Sequence, residues 1–189
     1  MADSDFLKCL NKKLGGRSLY LVGMMGSGKS KTGPALAQKL SYAFVDSDNV
    51  IEEYAKKSIT EIFKDDGEST FREIEKHVLT AISQRHSLVV ATGGGVVLSS
   101  ENWGVLHQGI VIWINTSRQT ILKRLKLSST KRPLLETTNL ERYFDEIFIE
   151  RRKLYEQADI TIDVIDQSPE EVSRLILNSI SAVIQDSFE

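Results

Sequence analysis

Short apolar runs recur along the chain at 18–22, 43–45, 88–91, 110–114 and 160–164, and longer stretches of different periodicity separate them. In 69–84, 117–127, 140–158 and 169–184 the apolar residues fall three and four positions apart, the spacing of one face of an α-helix. Strand followed by helix, repeated, predicts an α/β protein in three layers, with a five-stranded parallel sheet flanked by helices. Ser58-Ile-Thr-Glu61 and Ser168-Pro-Glu-Glu171 have the form of capping boxes, the second with Pro169 at the favoured first helical position. Residues 127–139 have no such period; polar and interrupted by Pro133, they predict an exposed loop long enough to move.

Composition narrows the possibilities. A chain of 189 residues that is 41% hydrophobic can bury one good core, and no Pro/Gly/Ser-rich stretch divides it. The expected organisation is an N-terminal extension over 1–16 and one domain over 17–189. A net charge of −2 offers no basic face for nucleic acid and no polybasic tract for a membrane, so an anionic ligand must be held locally. One cysteine, Cys9, excludes an internal disulfide and a cysteine-rich metal site. The first sixteen residues lack the apolar segment of a signal peptide, and no run approaches a membrane span. The expected compartment is the cytoplasm, or an organelle where a transit peptide has been removed.

Gly23-Met-Met-Gly-Ser-Gly-Lys-Ser30 follows the first predicted strand and opens a helix, the context required of a G-x-x-x-x-G-K-[ST] phosphate loop. The glycines let successive N–H groups converge on one cavity. The helix start adds partial positive charge, Lys29 reaches β- and γ-phosphates, and Ser30 is suited to ligate Mg²⁺. A chance match is expected in on the order of one in a hundred chains of this length. No N-K-x-D guanine signal follows, and the strand at 88–91 runs into Gly93-Gly94-Gly95 in place of an acid. The acids come early, as Asp46 and Asp48 at the end of the second strand, the edge of an open α/β sheet where ligands bind. On a continuing strand their side chains face the same way, one to orient metal-bound water and one to accept a proton from an attacking hydroxyl. The alternative for Asp48 is a helix N-cap. For the triple glycine, the alternatives are a flexible turn and a close backbone approach to a ligand.

These segments, with several others in order from about Arg17 to Pro169, resemble the shikimate kinase family, which is similar in fold to the nucleoside monophosphate kinases. The phosphate loop, Asp46-Ser-Asp48, "GESTFREIE" (67–75), the triple glycine, "KRPLL" (131–135), "ERRKLY" (150–155) and "IDVIDQSP" (162–169) each match a family motif. The resemblance implies transfer of the ATP γ-phosphate to the 3-hydroxyl of shikimate, in a P-loop kinase fold with a mobile lid at about 127–139 and an acceptor-binding region at about 48–80. It implies ATP and Mg²⁺ as cofactors, a small-molecule partner without nucleic acid or membrane, and a monomer. By position, Asp48 would bind the acceptor hydroxyls and serve as base, with Lys29 and Arg132 completing the catalytic set. Asp46 and Ser30 would serve the metal. Arg72, Arg151 and Gly93, Gly94 and Gly95 would hold the acceptor. Gly26, Ser27, Gly28, Lys29, Ser30, Lys31 and Arg132 would meet the phosphates, with Arg124 and Pro169 beside the adenine.

A small carboxylic acid is well held by guanidinium forks, which agrees with Arg72 and Arg151; the alternative for each is a surface ion pair, such as Arg72 with Glu75. The chain departs from the family at Lys31, where Thr is usual, and at Pro34, whose missing N–H falls either among the unpaired donors of a helix start or in its interior. Competing activities are a nucleoside monophosphate or gluconate kinase, and a nucleotide- or protein-binding relative without turnover.

Overall fold

The computed structural model describes residues 2–127 and 140–186. Five parallel strands, β1 (Leu19–Val22), β2 (Ala43–Asp46), β3 (Leu88–Ala91), β4 (Ile110–Thr116) and β5 (Ile160–Val164), lie in the order β2-β3-β1-β4-β5. This is the predicted architecture. The central β1 is flanked by β3 and β4, so the strand order reverses at its carboxyl end, where open parallel sheets form ligand crevices. Successive residues of β1, β3 and β4 face opposite sides. Tyr20, Val22, Val90, Val111 and Trp113 join one buried cluster; Leu19, Leu21, Val89, Ile112 and Ile114 join the other.

The first cluster is covered by α3 (Ser47–Ala55), the single turn α4 (Ile59–Glu61), α5 (Gly67–Ser83), α6 (Ser100–Leu106), α7 (Arg118–Leu127) and α8 (Leu140–Tyr155), which contribute Ile51, Phe71, Leu79, Trp103, Ile121 and Phe144 among others. The second is covered by α1 (Ala2–Leu14), α2 (Lys29–Leu40) and α9 (Pro169–Asp186). α1 and α6 have no counterpart in the sequence reading. In α1 the buried Leu10 and Leu14 anchor a mostly polar helix, and Asn11 donates its side-chain N–H to the Leu40 carbonyl at the end of α2, 3.0 Å away. α6 is short and contains Gly104, which hides its period.

Both capping boxes form. Ser58 and Glu61 satisfy each other's backbone N–H groups at 3.3 and 2.8 Å, and Ser168 with Glu171 does so at the same two distances. Pro34 lies six residues into α2, so its missing N–H falls in the helix interior and removes one hydrogen bond beyond the first turn. Gly33 beside it is required by packing: a Cβ there would stand 2.1 Å from the Phe44 ring.

Candidate functional site

At the carboxyl edge of β1, β2 and β3 a cavity of about 1050 Å³ runs from the start of α2 to the base of α5 and α8. Every sequence-predicted site residue except Arg132 lines it; Arg132 and the rest of 128–139 lie outside the described residues.

One end is built from contiguous backbone. Gly26 and Gly28 take φ of +77° and +107°, values that side-chain-bearing residues rarely adopt, and α2 begins directly after Gly28 without a side-chain cap. The loop carbonyls are secured from within the protein. Lys29 Nζ donates to the Gly23 and Met24 carbonyls at 2.7 and 2.9 Å, Thr116 Oγ1 to that of Ser27 at 2.8 Å, and Arg124 to those of Gly26 and Ser27 at 3.2 and 3.0 Å. With the carbonyls turned into the protein, the first-turn N–H groups of α2 and its positive pole serve the cavity. Arg124, which the family pattern puts beside a base, thus clamps the loop as well. Lys31 is exposed at this end, and Pro169 opens α9 on the cavity's far flank.

The other end is built from separated segments. β2 stops at Asp46, and Asp48 stands in the first turn of α3. The continuing strand considered for the two acids is therefore absent, and the helix cap is Asp46, whose carboxylate accepts the Asp48 N–H at 3.1 Å. A helical turn moves Asp48 away from the strand line and towards the triple glycine. A Cβ on Gly93 would lie 2.9 Å from Asp48 Oδ1 and 3.2 Å from Glu75 Oε1; one on Gly95 would lie 2.5 Å from an Arg72 guanidinium nitrogen. Gly93 and Gly95 form a bare floor on which these charged groups rest, so the close approach here is by protein side chains. Ser47, between the two acids, accepts the Gly93 N–H at 3.2 Å and ties the floor to α3.

Arg72 donates to Glu75 at 2.8 Å and to Glu68 at 3.0 Å. The ion pair considered as an alternative is therefore present, but Glu75 is only 3% exposed and belongs to the cavity wall. Burial pushes the Glu75 carboxyl above the usual carboxylate range, and Arg72 and Arg151 only partly pull it back. Burial opposes the charge on Arg72, yet Glu75 and Glu68 together raise its pKa. Arg151, on α8, is 7% exposed; among the described residues its Nε finds no acceptor and Glu75 Oε1 finds no donor. Buried, unmatched polar atoms in a polar cavity call for a ligand or water. Glu75 is the member the sequence reading missed as a site residue; its signal was the three-residue spacing from Arg72 on one helix face.

Phosphate-binding backbone at one end and a carboxylate with two guanidinium groups at the other provide for moving a phosphoryl group to the hydroxyl of an anionic acceptor. Among the described residues no cluster of three metal-binding side chains occurs, so a metal here would rely on few protein ligands. None of the described helices is long and apolar enough to cross a membrane.

The model of the family described as "Shikimate kinase" matches residues 25–181. The chain is 55% identical to shikimate kinase from Synechococcus sp. (strain CC9605), over 98% of its own length and 92% of the relative's. It is 50% identical to that from Prochlorococcus marinus (strain NATL2A), over 98% and 94%. Among solved structures, shikimate kinase from Acinetobacter baumannii in complex with shikimate superposes with a TM-score of 0.86 at 34% identity, covering 92% of this chain and 97% of that one. A gluconokinase from Sinorhizobium meliloti 1021 shares the fold alone, with a TM-score of 0.57 at 18% identity.

Proposed function

The chain belongs to the shikimate kinase family, and on that footing we propose that it transfers the γ-phosphoryl group of ATP to the 3-hydroxyl of shikimate. The observation that carries the reading is the buried Arg151, whose Nε has no partner among the described residues, in the same cavity as Asp48, Arg72 and Lys29. Arg72 and Arg151 bind the acceptor carboxylate, and Asp48 and the Gly93–Gly95 floor receive its ring and hydroxyls. As the new O–P bond forms, the 3-hydroxyl proton passes to the Asp48 carboxylate; the bond from the γ-phosphorus to the bridging oxygen breaks, and ADP departs. Lys29 and the backbone of Gly26–Ser30 neutralise the phosphates. Arg132 is assigned to the same task from its motif.

Ser30 and Asp46 offer hard oxygen donors on one cavity and suit Mg²⁺ that keeps several waters and phosphate ligands. When bound, Mg²⁺ screens phosphate charge. Adenine is placed between Arg124 and Pro169. A monomer acting in the cytoplasm completes the proposal.

The test is ADP release with Mg²⁺-ATP and a panel of shikimate, quinate, gluconate, AMP and CMP. Shikimate alone is expected to raise the rate well above the acceptor-free rate. Equal stimulation by gluconate or AMP would overturn the acceptor assignment, and a flat response with ATP still bound would assign the chain to binding without turnover.

A further inference from the structure

Tyr155, the last residue of α8, is fully buried behind the cavity wall. The ring stacks on Trp113 of β4, with centroids 5.7 Å apart and planes inclined by 17°. Trp113 is paired in register with Val22, the residue before the phosphate loop. The hydroxyl donates to the Gly94 carbonyl at 2.5 Å and touches Met24 Sδ at 3.7 Å. Arg151 stands one helical turn earlier on α8, close enough for its guanidinium to act on the phenol. Gly94 in turn packs closely on the loop: a Cβ there would stand 3.3 Å from the Met25 nitrogen and 3.5 Å from the Gly23 oxygen.

Packing against Trp113 requires only an aromatic ring. A phenol in the same place must also satisfy a buried hydroxyl, at a cost met here by the Gly94 carbonyl on one side and the Arg151 cation on the other. Burial pushes the Tyr155 pKa up to about 12, although the Arg151 charge opposes this, so the group remains a proton donor at neutral pH. Without the hydroxyl, the Gly94 carbonyl loses its donor and Arg151 loses a polar neighbour. Among the described residues Arg151 Nε has no acceptor, so the contact with the phenol is one of few that can orient the guanidinium.

We infer that Tyr155 is a positioning residue for the acceptor: its hydroxyl holds the Gly94 carbonyl and the Arg151 guanidinium in fixed relation, so that Arg151 meets the acceptor carboxylate preoriented against the glycine floor. The inference rests on the proposed assignment of Arg151 to that carboxylate.

Its test compares wild type, Tyr155→Phe, Arg151→Ala and the double variant, with kcat and KM for shikimate and for ATP, and with hydrogen exchange of the 94–96 amides. Tyr155→Phe is expected to raise the shikimate KM about tenfold, as for a lost hydrogen bond to a charged group. It should leave the ATP KM unchanged and add no further loss in the Arg151→Ala background. The exchange of the 94–96 amides should quicken. An unchanged shikimate KM, a matching rise in the ATP KM, or losses that multiply in the double variant would each overturn the positioning role. If wild type fails to use shikimate, the proposed function falls, while the exchange measurement still decides the tie: unchanged protection of 94–96 in Tyr155→Phe overturns it. Should that variant fold poorly, fluorotyrosine placed at 155 keeps ring and hydroxyl while altering hydrogen-bond strength; a shikimate KM identical to wild type would again count against the role.

Discussion

The two ends of the cavity bind charge by different physical means. At the phosphate end the work is done by backbone, over eight contiguous residues from Gly23 to Ser30, and the supporting bonds from Thr116 and Arg124 secure carbonyls that carry no net charge. At the acceptor end it is done by side chains from α3, α5 and α8, resting on a glycine floor at the end of β3. Backbone dipoles of a helix start are largely in place once the helix forms. Buried carboxylate and guanidinium groups are stable only while each keeps its partner, and removing one partner of a buried pair typically costs about 3–5 kcal/mol. The phosphate end should therefore tolerate exchange of its exposed side chains, whereas small changes at the acceptor end should be costly and confined to the acceptor.

The strongest test of this separation is Asp48→Asn. With the proposed base removed, kcat should fall roughly 10²–10⁴-fold, while calorimetry should find ATP binding unchanged because the backbone N–H groups of the loop are untouched. A comparable loss of ATP affinity would show that the ends are not independent.

Gly95→Ala is next in size. Gly95 has an ordinary φ of −97°, so backbone strain plays no part, but the new Cβ would meet the Arg72 guanidinium at 2.5–2.6 Å. That group is the tip of a flexible side chain, but swinging away loosens its bond to the buried Glu75. Its displacement should lower kcat/KM for shikimate roughly tenfold to a hundredfold, the scale of an ångström's misplacement, and should lower the melting temperature as well, because a buried carboxylate loses its partner. Unaltered kinetics would remove the floor from the acceptor site.

The smallest effect is expected at Lys31, the exposed residue where the family usually has Thr. Lys31→Thr should weaken ATP binding by less than about fivefold at low salt and by nothing measurable near 1 M, where the Debye length is about 3 Å. A larger loss that persists in salt would mean that Lys31 makes a direct, desolvated contact, and the tolerance claimed for the phosphate end would then be wrong.

Most of this architecture was legible in the chain because it is written in local patterns. The five strands, both capping boxes and the phosphate loop depend on alternation, on three-residue reach and on glycine placement, all expressed among near neighbours. Where a feature depends on which segment lies opposite, the same reading fell short. The direction of Asp48 depended on β2 ending at Asp46, and the cap proved to be Asp46. Pro34 was open between two readings until the helix start at Lys29 placed it in the interior. Glu75 read as a partner for a surface arginine, and nothing in its neighbourhood along the chain said that it would be buried beside the Gly93 turn and feel the Arg151 charge.

The sequence by itself thus determined the fold class and the phosphate-loop turn between β1 and α2, since each is encoded by residue type and spacing among near neighbours; the acceptor residues came from the family resemblance, and Glu75 was not among them. Only the tertiary structure decided how those residues face one another: Arg72 against Gly95, Glu75 buried and paired with Arg72, and the Tyr155 hydroxyl on the Gly94 carbonyl. The reason is that burial and charge pairing are properties of space filled by distant segments, and short-range periodicity carries no record of which segments those will be.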